Sequence, residues 1–307
     1  MTRISTFGNN QTLLSELLRN QANMLTDQQQ VTTGKVATDY KGLAAQTSTL
    51  LGAKTLKSRV DQYTEAGNQV KNTLDIYDNS IGVLDSVAGD LKQTLQQALG
   101  NGEVYGLSEI LSQSLNSTVT AMNTEVGGKY IFSGTRTDTP PVTVTSTGDL
   151  TALASAADAF QNNDQKAVLQ VDDGVSMQYG ILASDVAEPL MSVFKAFADF
   201  NAGPNGPLDG KLNATQLSFI QTQLANLDNA RQSILNSQVA NGVRQKSLDN
   251  ILTQHESTSV VVTGMISDIE DVDIAKAVTN LNNDQTALQA SYKAMATLSQ
   301  LSLLNYL

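Results

Sequence analysis

Between Val60 and Ala98, core-type residues recur at strictly alternating spacings of three and four: Val60, Tyr63, Gly67, Val70, Leu74, Tyr77, Ile81, Leu84, Ala88, Leu91, Leu95 and Ala98. Such a row stays on one side of an α-helix and forms a heptad seam, and a seam this long is covered most simply by other long helices. Asp61, Glu65, Lys71, Asp75, Asp85 and Lys92 occupy the remaining faces, as on a solvated helix surface. The composition agrees with narrow apolar stripes rather than a thick enzyme core, because Trp and Cys are absent and aromatics make up only 5%. A mainly α protein is therefore predicted, a long helical bundle or coiled coil drawn from both chain ends.

"GNGEVYG" at 100–106 breaks this helix, since closely spaced glycines cost too much backbone entropy inside one. A second helix is predicted from about Leu107 to Val126, with Leu111, Leu115, Val119 and Met122 on one side, packing antiparallel on the first. A third begins near Thr215 and carries Leu217, Ile220, Leu224, Leu227, Ile234, Leu248 and Leu252 on its seam. Arg231, Gln238, Asn241 and Gln245 interrupt that seam, and polar residues at such positions fix register or partner choice. Gly242 marks a candidate irregularity.

The segment from about Gly127 to Gly210 contains all five prolines and several β-branched runs. Strands are predicted at Tyr130–Phe132, around Val142 and Val144, and in a hairpin turning at Asp173-Gly174, followed by a short helix from Ala187 to Phe200. The expected organisation is a terminal coiled coil of residues 1–42 with 268–307, a helical rod of 43–136 with 211–267, and a small β-rich, outward-facing inserted domain at 137–210.

The two ends share a low charge, many amides and hydroxyls, and aliphatic stripes. Phe7, Leu14, Leu18 and Leu25 form the stripe at the N-terminus; Ile274, Val278, Leu281, Leu288, Tyr292, Met295 and Leu298 form its C-terminal counterpart. Leu301, Leu303, Leu304 and Leu307 exceed what one stripe needs. Burying a side chain of this size contributes roughly 1.5–3 kcal/mol, so several left exposed favour association. Phe7, Leu14, Leu18, Leu25, Ile274, Leu281, Leu288, Met295, Leu298, Leu301, Leu304 and Leu307 are the candidate subunit-interface residues. Asp268, Glu270, Asp271 and Asp273 are expected at the start of the last helix, where carboxylates suit its dipole.

Other function classes lack their residues. A net charge of -11 without a basic tract argues against nucleic-acid binding. No apolar run approaches the roughly 20 residues of a membrane span. "MTRISTFGNNQTLLSELL" does not read as a cleaved signal peptide, so export would use another route. The single histidine, His255, lies on the third helix's seam and is expected to be packed; no nucleophile, metal or cofactor constellation surrounds it. "VDDGV" reads as a hairpin turn rather than a calcium loop. No catalytic activity, metal or cofactor is expected.

The segments "TRISTF", "LLSELL", "VTTGKVATDYKGLAAQTSTLL", "VGGKYIFSGTRTDTPPV", "SQVANGVRQKSLD" and "LSLLNYL" together resemble the flagellin superfamily, and within it the hook-associated branch at the hook–filament junction. "GKYIFSG" is the most specific of these, being similar to a stretch that leads into the variable domain of junction proteins. The resemblance implies an extracellular structural subunit of the bacterial flagellum, exported unfolded with the help of a chaperone. Its terminal helices would assemble with copies of itself and with other axial proteins, a hook-side junction protein and flagellin. Filament flagellin is the alternative within the family, and a secreted glycan-binding module carried by the insert is a more distant one.

Overall fold

The computed structural model describes the backbone of residues 2–43 and 45–304, and the side chains of these except 2–7, 9, 10 and 298–304. Its elements run α1 (Thr2–Thr33), α2 (Thr47–Asn101), β1 (Glu103–Val104), α3 (Leu107–Met122), β2 (Glu125–Val126), β3 (Lys129–Tyr130), α4 (Thr147–Ala152), β4 (Val168–Asp172), β5 (Val175–Gln178), α5 (Ala183–Ala202), β6 (Gly210–Lys211), α6 (Ala214–Glu270) and α7 (Ile274–Leu304). The fold is mainly α, and its strands form only two-stranded antiparallel pairs among the described residues: β1 with β6, β2 with β3, and β4 with β5. The chain divides into two compact units, residues 60–256 and residues 1–59 with 257–307.

In the larger unit the α2 seam is buried almost without interruption from Val70 to Ala98. α3 returns along α2: Gly102 and Gly106 both adopt left-handed backbone at the corner, and Ser80 Oγ lies 3.4 Å from Thr124 Oγ1 at the other end. α3 buries Leu107, Leu111, Leu115, Thr118 and Met122. Thr118 takes the seam position expected of Val119, because its hydroxyl is already satisfied by the Ser114 carbonyl.

α6 runs antiparallel to α2, as Lys92–Asp228 and Lys71–Asp249 ion pairs near opposite ends require. The polar residues that interrupt its seam reach across to α2. Arg231 grips Asp85 through Nε and a terminal nitrogen at 2.6 and 3.2 Å, Gln245 donates to Asp75, and Asn241 donates to the Leu74 carbonyl. Each contact is lost by a one-turn slip, so together they set the register. At Gly67 the helices approach so closely that an added Cβ would lie 2.7 Å from Leu252 Cδ2. Gly242 produces no irregularity, since α6 is continuous through it.

Residues between α3 and α6 share the hydrophobic core of this unit, contributing Phe132, Val142, Leu150, Val171, Leu190 and Phe194. The hairpin turns at Gly174, whose φ is +71°, as the Asp173-Gly174 reading requires. Of two expected strands, one stops at Tyr130 and the other does not form. Ile131–Ser133 coil into a 3-10 turn after the β2–β3 pairing. Val142 is buried, but the side chain of Asn123 both accepts from its N–H and donates to its carbonyl, doing locally what a neighbouring strand would do. A single antiparallel bridge to Phe160 is all the β-structure there. The insert is also more helical than its β-branched runs suggest: α5 spans Ala183–Ala202, and α4 starts from a capping box of Ser146 and Asp149.

Candidate subunit interface

α1 and α7 pair antiparallel in the smaller unit, with Asn20 Nδ2 3.4 Å from Ser291 Oγ and the end of α1 bridged to the start of α7. Half-buried or buried residues follow a heptad on both helices. The row on α1 is Leu13, Leu17, Asn20, Met24, Asp27 and Val31; on α7 it is Ala277, Leu281, Asp284, Leu288, Ser291 and Met295, with Gln30 and Ala287 half buried beside it. Both rows alternate spacings of four and three, the signature of a two-stranded coiled coil. Leu17 and Ala277 are the residues of these rows that are buried rather than half buried.

The α6–α7 corner anchors this pair. α6 ends at Glu270, Asp271 bridges to Lys35, and α7 starts after Asp273, whose carboxylate accepts from the Lys276 N–H. The acidic cluster is therefore split between a helix end, a corner and a helix cap, instead of crowding the start of α7. A chain reversal at 271–273 intervenes because Val36 N–H donates to the Glu270 carbonyl and Val272 N–H to the Gly34 carbonyl, which takes these groups out of helical bonding. Lys35 pairs with Asp271 at 2.6 Å and Glu270 at 3.3 Å, and Lys54 also pairs with Glu270. The Lys54 ammonium, seconded by Lys35, holds the Glu270 carboxyl below its ordinary range; Lys35 and the Ser267 hydroxyl do the same for Asp271.

The candidate interface residues fall into three groups. Leu281, Leu288 and Met295 lie in the α1–α7 seam and are half buried within the chain. Leu14, Leu18 and Leu25 are 46%, 56% and 56% exposed, and Ile274 is exposed beside Val278 and Tyr292 on α7. The side chains of Phe7, Leu298, Leu301 and Leu304, and the whole of Leu307, lie outside the described residues. Leu14, Leu18 and Leu25 each follow a seam residue by one position: Leu13, Leu17 and Met24. One row closes on α7 and the adjacent row stays in solvent. Sequence reading took the outer row and missed Leu13, Leu17 and Met24; matching α1 against the heptad of α7 would have separated them.

His255 is buried on α6, its Nε2 lies 2.7 Å from the Val171 carbonyl, and its ring stacks on Tyr63 with centroids 5.9 Å apart. Tyr63 in turn donates to Asp173 at the hairpin tip, so these side chains tie the hairpin to the rod. A cleft of about 300 Å³ among α3, α4 and α5 is lined by Ser108, Thr147, Thr151 and Asn201 with aliphatic neighbours, and no titratable group lines it. Among the described residues there is no group of three or more His, Cys, Asp or Glu placed to hold a metal, and no helix is long and apolar enough to cross a membrane.

Comparison with known proteins points to the helices just described. The model of the family described as the bacterial flagellin C-terminal helical region matches residues 215–307, which comprise nearly all of α6 together with α7. The flagellar hook-associated protein 3 of Escherichia coli (strain K12) is 24% identical over 217 residues, covering 66% of this chain and 63% of that protein. The match thus spans less than two thirds of that relative. Among solved structures, a flagellar hook-associated protein from Vibrio parahaemolyticus aligns over 76% of this chain and 99% of its own, with a TM-score of 0.59 at 16% identity. FlgL of Xanthomonas campestris aligns over 69% and 98% with a TM-score of 0.56 at 10% identity, and FlgL of Bacillus cereus over 65% and 98% with 0.50 at 15%. At these identities the likeness is one of fold.

Proposed function

We propose that this flagellin-like chain is a structural, non-enzymatic subunit of the bacterial flagellum that self-assembles through its terminal helices and joins hook to filament. The observation that carries the reading is the exposed leucine row of α1, Leu14, Leu18 and Leu25, on a helix whose other apolar row is already covered by α7. A side chain of this type left in water favours any contact that removes it, and three in one row specify a helix-sized contact. Similarity to hook-associated protein 3 supports the place in the flagellum, and the match of α6 and α7 to the flagellin C-terminal region supports assembly by these helices.

On this reading the partners are further copies, a hook-side junction protein and flagellin, with an export chaperone before assembly. The protein works outside the cell, as part of the flagellum. The interface comprises Phe7, Leu14, Leu18, Leu25, Ile274, Leu281, Leu288, Met295, Leu298, Leu301, Leu304 and Leu307. Residues 1–42 with 268–307 act as the assembling coiled coil, 43–136 with 211–267 as the rod, and 137–210 as the outward-facing insert.

Deletion of the gene and microscopy of the cells test the reading. A hook that holds no filament is expected, with filament protein released to the medium. A hook that still carries its junction and lacks only the long filament would assign the chain to filament flagellin instead. Leu18→Asp in the full chain should keep the α2–α6 rod folded while failing to restore filament attachment; normal motility with that variant would overturn the role of the exposed row.

A further inference from the structure

The seam between α1 and α7 has two polar layers. One is Asn20 with Ser291, which are in hydrogen-bonding contact. Moving seven residues forward along α1 and seven back along α7, two helical turns on each, brings Asp27 opposite Asp284. Both are half buried, and their carboxyl groups come within hydrogen-bonding reach of each other. Seam neighbours on either side are Met24 and Val31 on α1 and Leu281 and Leu288 on α7. Two acidic groups thus meet where a coiled coil ordinarily places apolar ones.

We propose that Asp27 and Asp284 form a shared-proton site that sets how tightly the terminal helix pair is held. With one proton between them, one carboxyl donates an O–H to the other and the layer is satisfied. With none, two carboxylates face each other across a partly desolvated seam and repel. Among the described residues no cation on either helix offsets this: Arg19, Lys276 and Lys293 are each eight or nine residues from the nearer aspartate along the helix, roughly 12 Å or more. Glu16 and Asp273 are farther still and acidic. α7 is the one element packed extensively on α1, so Asp284 is the titratable group that faces Asp27 across the contact.

The direction of titration agrees with the geometry, since burial first and then Asp284 push the Asp27 carboxyl above its ordinary value. A carboxyl raised on folding contributes stability that is complete below its unfolded value and is lost as pH rises through the folded one. The pair is therefore tightest in acid and held below full strength at neutral pH, where the ends stay available to other partners. The switch acts within one chain and operates whether or not that chain assembles.

Hydrogen exchange on the full-length chain tests this, with rates corrected for intrinsic pH dependence and the interior of α2 as reference. Between about pH 7 and about pH 4, the ordinary aspartate value, α1 and α7 should become more protected while α2 stays constant. Asp27→Asn and Asp284→Asn should each show the acid level of protection already at the higher pH, with the pH dependence removed. Equal protection of the wild-type helices at both pH values would overturn the proposal, as would faster exchange in both variants with α2 unchanged.

Discussion

Two antiparallel helix pairs in this molecule follow the same heptad rule, α2 with α6 and α1 with α7, and they differ in what else covers them. The α2 seam faces α6, α3 and the segment between them, so Leu74, Ile81, Leu84, Leu91 and Leu95 are fully buried. The α1 seam faces α7 alone, most of its residues are half buried, and Asn20 and Asp27 stand in it. A heptad therefore specifies a face, while the number of partners decides whether that face becomes a core. Polar seam residues also differ in consequence. In the rod, Arg231 and Asn241 find complementary groups on α2 and set the register; in the terminal pair, Asp27 meets its like.

The contrast predicts graded responses. Leu84→Ala leaves a cavity in a fully covered seam and should lower global stability by about 3 kcal/mol in urea denaturation; a loss below about 1 kcal/mol would show that the rod core is as open as the terminal seam. At the α6–α7 corner the effect should be local and pH-dependent. The lowered carboxyls of Glu270 and Asp271 contribute stability that is present above their unfolded values and is lost as pH falls through the folded ones. Glu270→Gln should accordingly speed exchange of the Val36 and Val272 amides at neutral pH and do so less in acid, as the wild-type carboxylate protonates, the opposite sign to the Asp27 pair. An equal effect at both pH values would remove the ion pairs from the account. Leu25→Ser, on the exposed row, should change monomer stability by less than about 0.5 kcal/mol, measured in the same urea titration. A larger loss would mean that this row is already covered within the chain.

Legibility followed the same division. The α2 seam could be read residue by residue because its spacing is unbroken and its apolar residues have no other use. α6 was read less well. Gln216, Gln223 and Ala230 lie inside, while Leu217 and Leu224 flank the core. Gln216 is tolerated there because its amide donates to the Asn205 and Pro207 carbonyls and its oxygen accepts from the Asn213 N–H, satisfying groups that hydropathy counts as outward. Val142 misled in the other direction, since alternation implied a strand but Asn123 already occupied its backbone groups.

The amino-acid sequence by itself determined that long helices dominate, where glycines interrupt them, that the hairpin turns at Asp173-Gly174, and that the ends carry more apolar surface than one helix pair can use. These features rest on local backbone cost and on periodicity, both properties of neighbouring residues. Tertiary structure alone decided which of two adjacent leucine rows on α1 closes against α7, because Leu13 with Leu17 and Leu14 with Leu18 satisfy the same spacing and differ only by about 100° around the helix. The same placement brought Asp27 to Asp284, a contact between residues at opposite ends of the chain that no local pattern encodes.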